Sequence, residues 1–138
     1  MRALRGRNIP YIVSPFESDC QMAKLHRLGM ADFAICEDSD LIIYGCPVLL
    51  KLSNEGECDY FNINEADPET IDNVFIKQFI SLSPERRVEV AVLTGTDYLP
   101  SIRGIGIKTA LKFVYTSDNW PEALGKINEV EKFKAQKP

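Results

Sequence analysis

The sequence predicts an α/β protein built on a parallel sheet flanked by helices. Three observations carry that expectation. Short apolar runs at Tyr11-Ile12-Val13 and Phe33-Ala34-Ile35 bracket a helical pattern, the strand–helix–strand order of a parallel βαβ unit. The acids Glu37, Asp38 and Asp40 fall between two apolar segments, just past the expected end of a strand, where open α/β sheets collect functional groups. From about residue 70 onward the apolar spacing becomes helical, punctuated by Ser-Pro starts and glycine stops.

Taken in order, Ile9 to Val13 reads as a short strand with Pro10 near its start, where a missing N–H is tolerated. Ser14-Pro15-Phe16-Glu17 predicts a helix start, with Ser14 as N-cap, Pro15 at the first helical position and Glu17 completing a capping box. That helix runs to about Leu28 and stops at Gly29. A strand is expected over 32–35 and a third over 47–52. A turn at 53–56 leads to a returning antiparallel strand within 57–63. The polar segment 64–69 links to a helix over 70–80. Ser83-Pro84 starts another, ended by Gly95. Gly104-Ile105-Gly106 forms a hairpin opening a helix that carries Ile107, Ala110, Leu111 and Val114. Asp118-Asn119-Trp120-Pro121 starts a last one running from about 122 to 133. Motif content divides the chain into an α/β region, 1–82, and a helical region, 83–138, packed as one unit.

A chain of 138 residues supports one compact core. Its 45% apolar and 26% charged residues place it among globular proteins rather than disordered ones. The net charge of -4 argues against a generally basic nucleic-acid binder while leaving local patches open. No apolar run approaches the roughly 20 residues of a membrane span. The basic start, Met1 to Arg7, lacks the apolar stretch of a signal peptide, so an intracellular protein is expected. Cys20, Cys36, Cys46 and Cys58 form no C-x-x-C pair and His26 is the single histidine, which excludes zinc-finger spacing. Reduced, mostly buried thiols and a structural or solvated His26 are expected.

Three stretches carry candidate chemistry, each open to two readings. Asp38 and Asp40 suit a divalent metal, because neighbouring carboxylates repel and resist desolvation unless a cation compensates them; a solvated acidic loop is the alternative. Glu17 and Asp19 read either as a capping residue and a first-turn acid favoured by the helix dipole, or as metal ligands if Glu17 lies at the irregular start of the helix. The hairpin at Gly104 and Gly106 exposes backbone N–H groups suited to a phosphate, with Lys108 and Lys112 adding charge; the alternative is a tight turn between packed helices.

Taken together, Tyr11 to Asp19, Glu37-Asp38-Ser39-Asp40, and Gly95-Thr96-Asp97-Tyr98 followed by Ser101-Ile102-Arg103-Gly104-Ile105-Gly106 resemble, in order and spacing, the structure-specific 5′ nucleases. That superfamily includes flap endonuclease, exonuclease 1 and the xeroderma pigmentosum group G protein. The resemblance covers about residues 8 to 115, and Glu-x-Asp, Asp38-Ser39-Asp40-Leu41 and Gly45-Cys46 lean toward the exonuclease 1 branch.

The resemblance implies a PIN-like sheet with a helix–two-turn–helix on its carboxyl side. It implies that Glu17 and Asp19 help hold one metal, and that Asp38 and Asp40, assisted by Asp97, serve a second. The cofactors implied are two magnesium ions, with manganese as a substitute, and a potassium ion at Ser101, Ile102 and Ile105. Arg103, Gly104, Gly106, Lys108 and Lys112 would contact the DNA backbone. The implied activity is magnesium-dependent phosphodiester hydrolysis, as a 5′→3′ exonuclease or flap endonuclease of nuclear DNA repair and replication. The partners implied are DNA with 5′ ends, flaps or nicks, met by a monomer. The family's amino-terminal region brings two more metal-binding aspartates, a basic residue and a helical arch, which these residues do not include; very weak cleavage or none by this chain alone is therefore expected. A non-catalytic DNA-junction binding module and a PIN-like ribonuclease are the competing readings.

Overall fold

The structure is a computed structural model that describes residues 1–130. The chain divides into two compact units, Met1–Tyr60 and Phe61–Pro138. This boundary lies ahead of residue 82, where motif content divides the sequence, because the helix at Val74–Ser81 packs with the later helices.

The first unit holds α1 (Arg2–Gly6), α2 (Ser18–Arg27), β1 (Ala34–Ile35), α3 (Asp40–Ile43) and β2 (Val48–Leu50). The third strand, β3 (Asp59–Phe61), lies at its end, and the sheet order is β1-β2-β3. β1 and β2 are parallel, in the register Ala34 to Val48 and Ile35 to Leu49. A parallel crossover is present, but it joins β1 to β2 through α3. The expected one, from a strand at 9–13 through α2, is absent because that strand is not formed. Ile12 and Val13 are 56% and 63% exposed, so burial does not offset the entropy of ordering them. Arg5 instead ties this segment to α1, its Nε donating to the Tyr11 hydroxyl at 2.7 Å.

The helix after Pro15 also starts later than expected. It begins at Ser18, and Glu17 occupies the N-cap position with no side-chain capping bond. Phe16 is 89% exposed, so no apolar contact draws that turn into the helix. Gly29, at φ +67, follows the helix as expected. His26 Nδ1 lies 3.2 Å from the Ala31 carbonyl oxygen, a structural bond across the same turn. All four cysteines are free thiols. Only Cys46 is buried; Cys20 and Cys58 are exposed, which corrects the expectation of mostly buried thiols.

The second unit contains a 3-10 turn at Pro68–Thr70, then α4 (Val74–Ser81), α5 (Pro84–Thr94), α6 (Ile107–Tyr115) and α7 (Trp120–Glu129). The single helix expected over 70–80 is therefore split. Asn73 starts α4 by accepting from the Phe75 and Ile76 amides, a stronger local signal than the propensity of residues 70–73. Ser83 caps α5 and Asn119 caps α7 through their side-chain oxygens. The expectation that the last helix reaches 133 extends past the described residues. Val90, Leu93, Ile105, Ala110, Leu111, Val114 and Ile127 form one buried cluster, with Phe79, Ile102 and Trp120 packed against it. The hairpin residue Ile105 is a member, so the hairpin is anchored by burial.

Candidate functional site

Asp38 and Asp40 stand where the sequence places them, immediately past the carboxyl end of β1. Local backbone geometry uses part of this acidic cluster. Asp38 Oδ1 accepts from the Asp40 amide at 3.0 Å, satisfying an amide that the first turn of α3 would otherwise leave unpaired. The Asp38 amide donates in turn to Cys36 Sγ at 3.3 Å. Glu37 Oε1 accepts from the Lys51 amide at 2.6 Å. Lys51 has φ +52, so Glu37 pins a left-handed residue just past β2. Each of these carboxylates still has a second oxygen with which to accept or ligate.

Glu17 and Asp19 lie at the N-cap and in the first turn of α2. The irregular position of Glu17 is the one in which it could converge with Asp19, since residues two apart do not share a helix face. Among the described residues, however, no three His, Cys, Asp or Glu side chains gather closely enough to hold a metal ion. The donors are hard carboxylate oxygens, the right type for magnesium, but their arrangement is not a ready-made cage.

In the second unit, Asp97 sits at the exposed tip of a tight turn closed by Thr96 and Leu99, whose amides and carbonyls exchange bonds of 2.9 and 3.2 Å. The next turn is the glycine hairpin. The Ile105 amide donates to the Ile102 carbonyl at 2.9 Å and Gly104 takes φ +85. Ser101, Arg103, Gly104, Gly106, Lys108 and Lys112 are exposed, Ile102 is half-buried and Ile105 is buried. Gly106 is the N-cap of α6 and offers no side-chain acceptor, so the helix's first amides are not capped from that position.

The opposite end of α6 is held by residues that sequence reasoning missed. Arg86 donates to the carbonyls of Val114 and Ser117 and pairs with Glu89. Lys126 donates to the Thr116 carbonyl and pairs with Glu122 at 2.8 Å. Cations at a helix C-terminus complement its dipole and satisfy its orphan carbonyls. The Lys126 ammonium, followed by the Asp118 amide, holds the Glu122 carboxyl below its usual range. These partners come from α5 and α7, 28, 31 and 10 residues from the carbonyls they reach, and no local sequence signal marks them.

Comparison with known proteins agrees with this architecture. The XPG I-region family model matches residues 8–97. The DNA damage-inducible protein DIN7 of Saccharomyces cerevisiae is 35% identical over 126 residues, covering 91% of this chain and 28% of that protein. Exonuclease 1 of Xenopus laevis is 36% identical, covering 86% of this chain and 16% of that protein. Flap endonuclease 1 of Methanocella arvoryzae is 33% identical, with 94% and 40% covered. Among solved structures, the catalytic core of Rad2 in complex with a DNA substrate superposes with a TM-score of 0.73 at 22% identity, over 98% of this chain and 40% of that one, a likeness of fold. Flap endonuclease-1 from Methanococcus jannaschii gives 0.69 at 25% identity, over 97% and 39%. The chain thus spans well under half the length of these relatives. The matched span contains all three acidic motifs, in order, on the elements described above, and the chain belongs to the XPG I-region family of structure-specific 5′ nucleases.

Proposed function

We propose that this chain is part of a nuclear, monomeric, structure-specific nuclease that hydrolyses DNA from 5′ ends, flaps or nicks during repair and replication. The observation that carries the reading is the ordered set of Glu17 and Asp19, Asp38 and Asp40, and Asp97 inside the span matched by the family. In this reading those five carboxylates are contributed to a divalent-metal centre. Magnesium or manganese suits their oxygens. The chain spans well under half the length of its relatives, so no catalytic step is assigned to it alone. Arg103, Lys108 and Lys112, with the amides around Gly104 and Gly106, contact the duplex backbone. In the same reading, potassium binds at Ser101, Ile102 and Ile105.

A second reading is a DNA-junction binding module without catalysis, resting on the glycine hairpin at Gly104 and Gly106. One substitution separates the two. Asp97→Ala in the full-length nuclease should abolish cleavage of a 5′-flap duplex while leaving binding intact; undiminished cleavage overturns the catalytic assignment. The isolated chain should bind the flap duplex with an affinity that falls steeply between about 50 and 200 mM salt. Lys108→Ala should reduce that salt slope by about one. Robust magnesium-dependent cleavage by the isolated chain would contradict the incomplete centre.

A further inference from the structure

We propose that the groove between α4 and α6 is a docking site for an acidic, amphipathic peptide segment of another protein. The groove includes a hollow of about 300 Å³ lined by Phe75, Ile76, Phe79, Ile107 and Leu111, with Asn73 and Lys108 at its rim. It continues past Phe75 and Lys108 toward Lys112 and Val130. Its apolar surface is open to solvent: Ile107 is 60% exposed, Ile76 47% and Phe75 43%. A contiguous apolar strip of this kind marks an interaction surface rather than scattered exposure.

Charge selects the occupant. The groove carries two lysines and no carboxylate among its lining residues, although the chain as a whole has a net charge of -4. Lys108 Nζ sits 4.9 Å from the centre of the Phe75 ring, an arrangement that holds the cation beside the apolar floor. An occupant that places leucine or phenylalanine on the floor and glutamate or aspartate against Lys108 and Lys112 matches both features, in the helix-in-groove mode. Residues 131–138 of this chain carry three lysines against one glutamate and have the wrong charge. A DNA backbone satisfies the lysines but leaves the floor of Ile76, Phe79 and Leu111 uncovered. Docking does not depend on the nuclease reading. If both hold, peptide and DNA compete for Lys108 and Lys112.

The test uses the chain without DNA. A short synthetic helical peptide, with leucine or phenylalanine at every third or fourth position and glutamate elsewhere, is labelled and titrated by fluorescence anisotropy, with amide shifts mapped by NMR. Saturable binding that shifts Phe75, Ile76 and Ile107 and weakens with salt is the expected result. Ile76→Glu and Lys108→Glu, both at exposed positions, should each weaken it by about tenfold or more. A lysine-for-glutamate version of the peptide should not bind. Equal binding of that version, shifts confined to other surfaces, or unchanged affinity in both variants would overturn the proposal. So would a short DNA duplex shifting the floor residues when the peptide does not, or self-association of the chain through this face in sedimentation.

Discussion

A Cβ placed on Gly95 would stand 2.8 Å from the backbone nitrogen of Ser101 and 3.0 Å from its Cβ. Gly95 ends α5 at φ 97 and ψ 147, a region that side chains other than hydrogen rarely enter. The close approach folds the Asp97 turn back so that Ser101 and the glycine hairpin begin directly beside the end of α5. Gly95→Ala should therefore cost about 2–3 kcal/mol, read as a lower urea midpoint with an unchanged slope. It should also shift the amides of residues 96–105.

Arg86 reaches the carbonyls of Val114 and Ser117, 28 and 31 residues further along the chain. Hydrogen bonds to charged groups contribute about 1.5–3 kcal/mol when partly buried. Arg86→Ala should destabilise the helical unit by about 2 kcal/mol. Hydrogen exchange in the last turn of α6 should accelerate more than in α4.

Arg87 presents the opposite case. It is 93% buried by surface, at 7% exposure, and its Nε and Nη1 have no hydrogen-bond partner among the described residues. Burial pushes its guanidinium pKa down, with Glu85 opposing. Replacing such a cation by an apolar residue of similar length removes the desolvation cost. Arg87→Met should stabilise the chain by about 1–3 kcal/mol in urea unfolding; a loss of similar size would reveal an ionic partner.

Glu122 supplies the pH dependence of α7. Its carboxyl lies below the usual 4.5 because Lys126 and the Asp118 amide favour the charged form. A depressed folded pKa means that the contribution is fully present above 4.5 and is lost as pH falls from there through the folded value. Carboxyl NMR should show Glu122 titrating below the usual 4.5. In Glu122→Gln the acid-side loss of stability should flatten.

Thiol reactivity should follow burial. Cys20 and Cys58 are exposed, whereas Cys46 is 3% exposed and burial raises its pKa. Thiolate is the reactive form. Labelling with an aromatic disulfide should modify Cys20 and Cys58 first, with Cys46 reacting only on unfolding.

Much of the helical half was legible because its signals are local. Ser83 and Asn119 cap the helices that follow them, and Gly95 ends α5, each through groups within a few residues. The acidic motif was also placed correctly, just beyond β1. The first half was harder to read. Tyr11 to Val13 has strand composition but takes no regular structure, because a strand is made by a ladder partner and burial rather than by its own side chains. Ser14-Pro15 has the same form as Ser83-Pro84, yet only the second starts its helix directly, since Val90 and Leu93 bury that helix against α6 while Phe16 stays in water.

By itself the amino-acid sequence determined the order of the acidic motifs, the glycine hairpin and most helix ends, and these suffice for the family. Tertiary structure decided that Glu37 serves the Lys51 amide, that Arg86 and Lys126 close the far end of α6, and that the α4–α6 groove is apolar with a cationic rim. The division has a physical origin. Caps, turns and the Asp38 bond to the Asp40 amide join near neighbours in the chain, whereas the Glu37 bond to the Lys51 amide, helix-end cations and grooves depend on groups brought together only by packing.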